Sequence, residues 1–301
     1  MVTQGNNWLD LTISGYVHVK GFLSLSELRF VQREYLLHRG EFLLDRSWSA
    51  ENVNYSLSAI SPVVNWHLDG KLRGISEQVR VATGINADLN TSGMYFDIGA
   101  GIDLAWHQDH ESYFTYQQHT NYLNYYIPIL KPDTTRTNLC VIPWLRLKTA
   151  LPAEQYARLV GGGARRFVPT QATTVVYDDE TGEEHLLPVN IELLKDTPQL
   201  EEGDLLLLRG DMIHRTQDTE TERVAASFRR TCASAPISRL RLQSGSEAKL
   251  KMIQNNPGVY EPVLECFRQC QRDEITAREL IDYYTSKYVG AKTGAAVRGR
   301  S

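Results

Sequence analysis

The sequence predicts a mainly-β jelly roll with helices packed around it. Three observations carry this reading. Residues 92 to 143 are strand-rich; two further strand signals follow at 204 to 213 and 223 to 232; after Pro236 the apolar pattern changes to a helical period. Two sheets folded in this way enclose a pocket between them. The chain has 301 residues, 42% of them hydrophobic, enough for one substantial core. It reads as one domain over 1–301, with an N-terminal strand and helices in 1–90, a jelly-roll core at about 90–235, C-terminal helices in 240–289 and a small, basic, disordered tail in 290–301.

Residues 13 to 23 read as the first strand. Ser24-Leu25-Ser26-Glu27 then has the spacing of a capping box, and Leu28, Val31 and Tyr35 put a helix after it. Residues 46 to 66 are irregular and aromatic. Leu72, Ile75, Val79 and Ala82 recur at helical intervals, so a helix is expected over 71–83, stopped by Gly84. Met94-Tyr95-Phe96-Asp97-Ile98 is a strand followed by a Gly99-Ala100-Gly101 turn, and Tyr122 to Ile129 is an aromatic and aliphatic barrel strand. A short helix at 152–160 ends at Gly161-Gly162-Gly163, a flexible loop that lacks the Lys and Ser/Thr of a phosphate-binding loop. Thr173 to Val189 reads as a hairpin turning at Asp178–Gly182. Gly203 introduces the strand Asp204 to Arg209, which His214 closes. Val263, Leu264, Phe267 and Cys270 suit one late helix, and Ala277, Ile281, Tyr284 and Tyr288 another.

The chemistry is carried by His107, Asp109 and His214. Side chains at i and i+2 on a strand point the same way, so His107 and Asp109 can reach one metal ion. Two imidazoles and one carboxylate on one face of iron(II) leave the opposite positions open. A second H-x-D copy, His67-Leu68-Asp69, instead enters the predicted helix, with Asp69 a candidate cap. His119 and His185 are the rivals for the distal ligand. Nine positions after His214, Arg223 opens the last core strand, and an arginine there can clamp a dicarboxylate with a planar fork. Arg229 shares its strand face and competes for that role; a surface pairing of Arg223 with Glu220 or Glu222 is the plain alternative. Arg230 faces the other way and reads as solvated. Triad and clamp together suggest an oxygenase that consumes 2-oxoglutarate.

Several segments resemble the phytanoyl-CoA dioxygenase-like branch of the iron(II)/2-oxoglutarate-dependent oxygenases. They are Ser14 to Ser24, the W-H-x-D run Trp106-His107-Gln108-Asp109, Asn138-Leu139-Cys140-Val141-Ile142-Pro143, and Gly203-Asp204-Leu205 with His214-Arg215-Thr216. The likeness is discontinuous over about 13 to 232 and weak over 150 to 200. Where the family continues with Gly-Ser-His, this chain has Trp144-Leu145-Arg146. The resemblance implies a cupin-like double-stranded β-helix, with iron(II), 2-oxoglutarate and dioxygen as cofactor and cosubstrates. It gives Thr216 a contact with the cosubstrate and makes Tyr125 a candidate for one, beside its alternative as a core tyrosine. It also implies hydroxylation or desaturation, since the carboxylate of Asp109 fills the place that chloride needs in related halogenases. Trp106 reads as packing, while His110, Glu111 and Tyr113 are candidates for the pocket mouth.

Composition narrows the partners. A net charge of −4 without a basic face argues against nucleic acid. Cys140, Cys232, Cys266 and Cys270 have no disulfide or C-x-x-C spacing, the first residues lack a signal-peptide pattern, and no apolar run spans a bilayer; a cytoplasmic protein is expected. A small polar metabolite is the expected substrate. A protein or carrier-tethered substrate, a metal oxidase without 2-oxoglutarate, and a non-catalytic jelly-roll binding module remain open.

Overall fold

The computed structural model describes residues 7–42, 54–98, 104–218 and 221–289. The expected tail at 290–301, the turn at 99–101 and Glu220 lie outside these residues. The first third of the chain runs α1 (Asp10–Ile13), β1 (Tyr16–Val19), α2 (Leu25–Phe42), β2 (Asn54–Ser56), α3 (Leu57–Ile60), α4 (Pro62–Thr83) and β3 (Leu89–Ile98). The middle runs β4 (His107–Gln108), α5 (Glu111–Tyr116), β5 (Leu123–Leu130), β6 (Leu139–Val141), α6 (Trp144–Ala150), α7 (Ala153–Leu159), β7 (Arg165–Pro169), β8 (Thr174–Asp178) and β9 (Glu184–Leu187). The last part runs β10 (Leu205–Arg209), β11 (His214–Thr216), β12 (Arg223–Thr231), β13 (Pro236–Ser238), α8 (Arg239–Gln243), α9 (Glu247–Asn255), α10 (Pro257–Cys270), β14 (Glu274–Thr276) and α11 (Ala277–Tyr284).

Two antiparallel six-stranded sheets form the centre. One has the order β1-β10-β5-β12-β3-β2 and the other β6-β11-β4-β7-β8-β9. The N-terminal strand is thus an edge of the first sheet, so the β core begins well before residue 90. One apolar cluster joins inward residues of both sheets, among them Tyr126, Leu206, Leu208 and Ala225 with Val141, Phe167, Val176 and Ile213. A second lies on the outer face of the first sheet, where Tyr125, Leu205, Leu207 and Phe228 meet Val31 and Tyr35 of α2 and Leu68 and Leu72 of α4. The leucine run of β10 follows from this layering. Leu205 and Leu207 pack outward against helices while Leu206 and Leu208 pack inward, so no polar alternation is needed. The C-terminal helices bury Tyr260, Val263, Phe267 and Leu280 in a third cluster with Phe114 and Tyr116 of α5.

Local signals explain most boundaries. The Ser24 N–H donates to Glu27 (2.8 Å) and the Glu27 N–H to Ser24 Oγ (3.3 Å), the capping box that starts α2. Gly84 ends α4 in the left-handed conformation at φ 77°. That helix begins nine residues earlier than its apolar spacing indicated, at Pro62, so Asp69 is not a cap. Asp69 lies inside the helix and pairs with Arg73 (3.1 Å) and Arg230 (2.5 Å). Arg230, expected to be solvated, is 2% exposed; it also donates to the Ala87 and Asp88 carbonyls, because the outer face of β12 is covered by α4. The three glycines after α7 are packed, not loose. Gly161 N–H donates to Asp211 (2.6 Å), and a Cβ on Gly163 would lie 2.5 Å from the Tyr113 ring.

Gly15, at φ +85°, joins α1 to β1 against Trp144, and a Cβ there would come within 2.4 Å of the indole ring and 2.6 Å of the Met212 sulfur. Gly15→Ala is therefore expected to destabilise by about 2–5 kcal/mol, the sum of a left-handed backbone and an overfilled core. Urea unfolding measures it: a wild-type midpoint would mean that the ring yields freely.

Candidate metal centre

His107 and His214 face each other as cross-strand partners on β4 and β11, with ring centroids 4.3 Å apart. The chain reaches His214 by leaving the first sheet at Arg209 and entering the second, so this histidine does not close β10 as its position after the leucine run indicated. Asp109 follows immediately after β4. Its Oδ1 is 3.6 Å from each histidine Nε2, and one ligand atom from each of the three residues lies within 4.8 Å of the others. The Nδ1 of His107 is 2.7 Å from the Ala105 carbonyl oxygen, and that of His214 is 3.0 Å from Met212 O. A carbonyl only accepts, so each Nδ1 carries the proton and both Nε2 lone pairs are left for a ligand.

Electrostatics fit the same purpose. Burial pushes the Asp109 carboxyl up, but the His107 and His214 rings beside it and the guanidinium of Arg229 hold it well below the usual range. Burial, then the nearby His107 charge, pushes His214 down to about 4, leaving it neutral. His107 is raised despite its burial, because Asp109 lies beside it. The donor set is thus a carboxylate and two imidazoles whose Nε2 atoms converge on one point, and a divalent cation bound there displaces any proton on those atoms. Asn124 Nδ2 donates to the other Asp109 oxygen at 3.0 Å and fixes the carboxylate's orientation.

Arg223 is 2% exposed, which removes the surface pairing as its role; Glu222 is exposed. Its Nε donates to the Tyr126 hydroxyl (3.1 Å), an Nη lies 3.5 Å from Thr216 Oγ1, and the other Nη is buried without a partner. A buried guanidinium with one unanswered fork arm suits an incoming carboxylate. Thr216 is brought to this position. Tyr125 is not: it points to the outer face and bonds Ser76 Oγ at 2.7 Å, while its neighbour Tyr126 faces inward. Both faces of β5 are buried, so its sequence offers no alternation that separates the two tyrosines. The site residues read less directly from sequence are therefore Tyr126 and Asn124, one strand period apart on one face.

The rival histidines have other surroundings. His119 is buried against Tyr122 and Tyr113, and its imidazole is pushed down to about 4 by burial. His185 lies on β9, 3.4 Å from Glu183. Trp106 is packing, as expected, with its N–H donated to Glu192 (2.7 Å). His110 pairs with Asp179 (2.9 Å), and Tyr113 accepts a hydrogen bond from Arg241 (2.8 Å). Glu111 is exposed at the start of α5. Among the described residues no helix is long and apolar enough to cross a membrane.

No protein-family model matches this chain, and no curated protein sequence matches it. Solved structures do. The carbocyclase SnoK from nogalamycin biosynthesis, described as non-heme and alpha-ketoglutarate-dependent, is similar over 77% of this chain and 85% of its own, at 12% identity and a TM-score of 0.51. The epimerase SnoN, in complex with Fe3+, alpha-ketoglutarate and nogalamycin RO, is similar over 77% and 84%, at 16% identity and 0.50. EctD from S. alaskensis, with 2-oxoglutarate and 5-hydroxyectoine, is similar over 81% of each chain, at 15% identity and 0.50. At these identities the likeness is one of fold: the two antiparallel sheets with surrounding helices are an architecture shared with iron- and 2-oxoglutarate-dependent enzymes.

Proposed function

We propose that this chain is an iron(II)- and 2-oxoglutarate-dependent oxygenase of a small polar metabolite, built on a jelly roll of the double-stranded β-helix kind. One observation carries the reading: three convergent ligand atoms, both histidines locked by backbone carbonyls, beside a buried arginine with an unpartnered fork arm. His107 Nε2, Asp109 and His214 Nε2 would hold the metal. Arg223, with Thr216 and Tyr126, would receive the far carboxylate of 2-oxoglutarate.

Bound iron, 2-oxoglutarate and dioxygen supply the oxidising chemistry, in which 2-oxoglutarate becomes succinate and carbon dioxide and a substrate C–H becomes C–OH. The chain's own residues supply placement. Tyr126 orients the Arg223 fork through its hydroxyl oxygen. Asn124 holds one Asp109 oxygen aside and so directs the other at the metal. The apolar inter-sheet cluster keeps bulk water from the charged groups and strengthens their mutual attraction. That SnoN is an epimerase and SnoK a carbocyclase supports leaving the fate of the substrate carbon wider than hydroxylation or desaturation.

The test is direct. Anaerobic protein given iron(II) and then 2-oxoglutarate should develop a visible charge-transfer band that succinate does not produce. Admitting oxygen should then yield succinate in proportion to 2-oxoglutarate consumed. Absence of both the band and succinate would overturn the reading.

A further inference from the structure

Six residues beyond Arg223, about 20 Å along the same strand, a second arginine faces inward. Arg229 sits in a cross-strand row, opposite Ser92 of β3 on one side and Asn124 of β5 on the other. Each of the three residues is partly open, as a cavity wall is, and each holds a buried polar atom without a partner: Ser92 Oγ, Arg229 Nε and Asn124 Oδ1. Among the described residues no hydrogen bond or ion pair engages the guanidinium. Three orphaned polar atoms in one row are a costly arrangement unless a ligand answers them.

The charge balance says what kind of ligand. The field of Arg229 reaches Asp109, Tyr122, Glu111 and Tyr116, which together hold its proton more firmly despite its burial. Tyr116 and Tyr122 are buried neutral phenols, and Glu111 is exposed to water. Asp109 is the buried anion of the group, and a bound divalent metal takes up its charge. With the metal in place, Arg229 is a partly enclosed cation facing a polar row with no anion of its own. Arg223 stands on the other side, beside Thr216 and Tyr126.

We infer that Arg229, Ser92 and Asn124 form a second anion subsite, across the metal centre from Arg223, that binds a carboxylate of the substrate. This rests on the oxygenase reading and narrows it to substrates bearing a carboxylate. The guanidinium pairs with one carboxylate oxygen, the Ser92 hydroxyl donates to the other, and the Tyr116–Tyr122 pair walls the adjoining chain (ring centroids 5.7 Å). Asn124 bonds Asp109 as well, so the anion seat and the metal ligand share one side chain.

The probe is a set of matched pairs, aliphatic and aromatic monocarboxylic acids with their primary amides, added to anaerobic protein saturated with iron(II) and 2-oxoglutarate. Binding is read by competition in ligand-observed NMR, and 2-oxoglutarate occupancy by its charge-transfer band. Acids should bind at least about thirtyfold tighter than their amides, the fold-change expected for a buried charge partner. Arg229→Met, which keeps the stem and removes the charge, should abolish that preference and leave the 2-oxoglutarate titration as in wild type. Ser92→Asp, which supplies an internal carboxylate to the guanidinium, should do the same, and serves if Arg229→Met does not fold. Equal binding of acids and amides by the wild-type protein would overturn the subsite. A 2-oxoglutarate titration weakened by Arg229→Met and untouched by Arg223→Met would overturn it too, by making Arg229 the cosubstrate clamp. Absence of the band in wild type would instead sink the oxygenase reading itself.

Discussion

His214→Ala is expected to weaken iron(II) binding by at least about a hundredfold and to remove 2-oxoglutarate turnover, since it deletes one of three ligands and leaves a pair that cannot enclose one face of the ion. The apoprotein should fold as well as wild type. The His214 ring makes one local hydrogen bond, to Met212 O, and it is neutral, so its removal leaves no buried charge unpaired. The decisive measurement is thus the difference between melting with and without metal. Wild type at a hundredfold excess over its dissociation constant should gain about 2.7 kcal/mol from iron(II), and the variant close to nothing. An equal gain in both would place the ion elsewhere. His107→Ala should behave alike in binding.

Arg223→Ala should raise the 2-oxoglutarate requirement by about 2–5 kcal/mol, the loss of a buried charge partner for a carboxylate. Thr216→Val should act in the same direction by about 1 kcal/mol, since it removes one neutral contact 3.5 Å from the guanidinium. Tyr126→Phe should lie close to Thr216→Val, because the fork loses its orienting oxygen but keeps its charge. Tyr125→Phe should leave the requirement unchanged, as its hydroxyl bonds Ser76 on the other side of the sheet. Succinate formation against 2-oxoglutarate concentration orders the four. A larger defect in Tyr125→Phe than in Tyr126→Phe would mean that the register of β5 is misassigned.

The fold was largely legible where the chain alternates or caps itself. The capping box at Ser24, the stop at Gly84, the hairpin at 174–187 and the last core strand all lie where their local chemistry indicated. Legibility failed where both faces of an element are buried. Along β5 and β10 a two-residue period carries no label for inside and outside, so Tyr125 and Tyr126 could not be told apart. The start of α4 was hidden for a related reason. Its first two turns hold exposed Val63 and Trp66 beside buried Val64, which blurs the start of the apolar stripe that runs on through Leu68 and Leu72. Arg230 looked solvated because strand parity does not reveal what covers the far face of a sheet. At the site, residue types and spacing brought His107, Asp109, His214 and Arg223 into consideration together and the family resemblance added Thr216, but Asn124 bonds Asp109 through a pairing that only tertiary structure supplies.

The glutamine between the two β4-side ligands has its own consequence. Gln108 is fully buried; its amide donates to the carbonyls of Leu159 (2.9 Å) and Asp211 (2.6 Å) and accepts from Arg165 (3.1 Å). Asp211, three residues before His214, is clasped in turn by Arg209 and the Gly161 N–H. The middle residue of the H-x-D unit is therefore a tie-rod: on the face away from the ion it bolts the strand carrying two ligands to the turn carrying the third. A change there touches no donor atom, yet it would let the two halves of the site breathe against each other. Variation at this position would tune how tightly the centre is preset, independently of what it is made of.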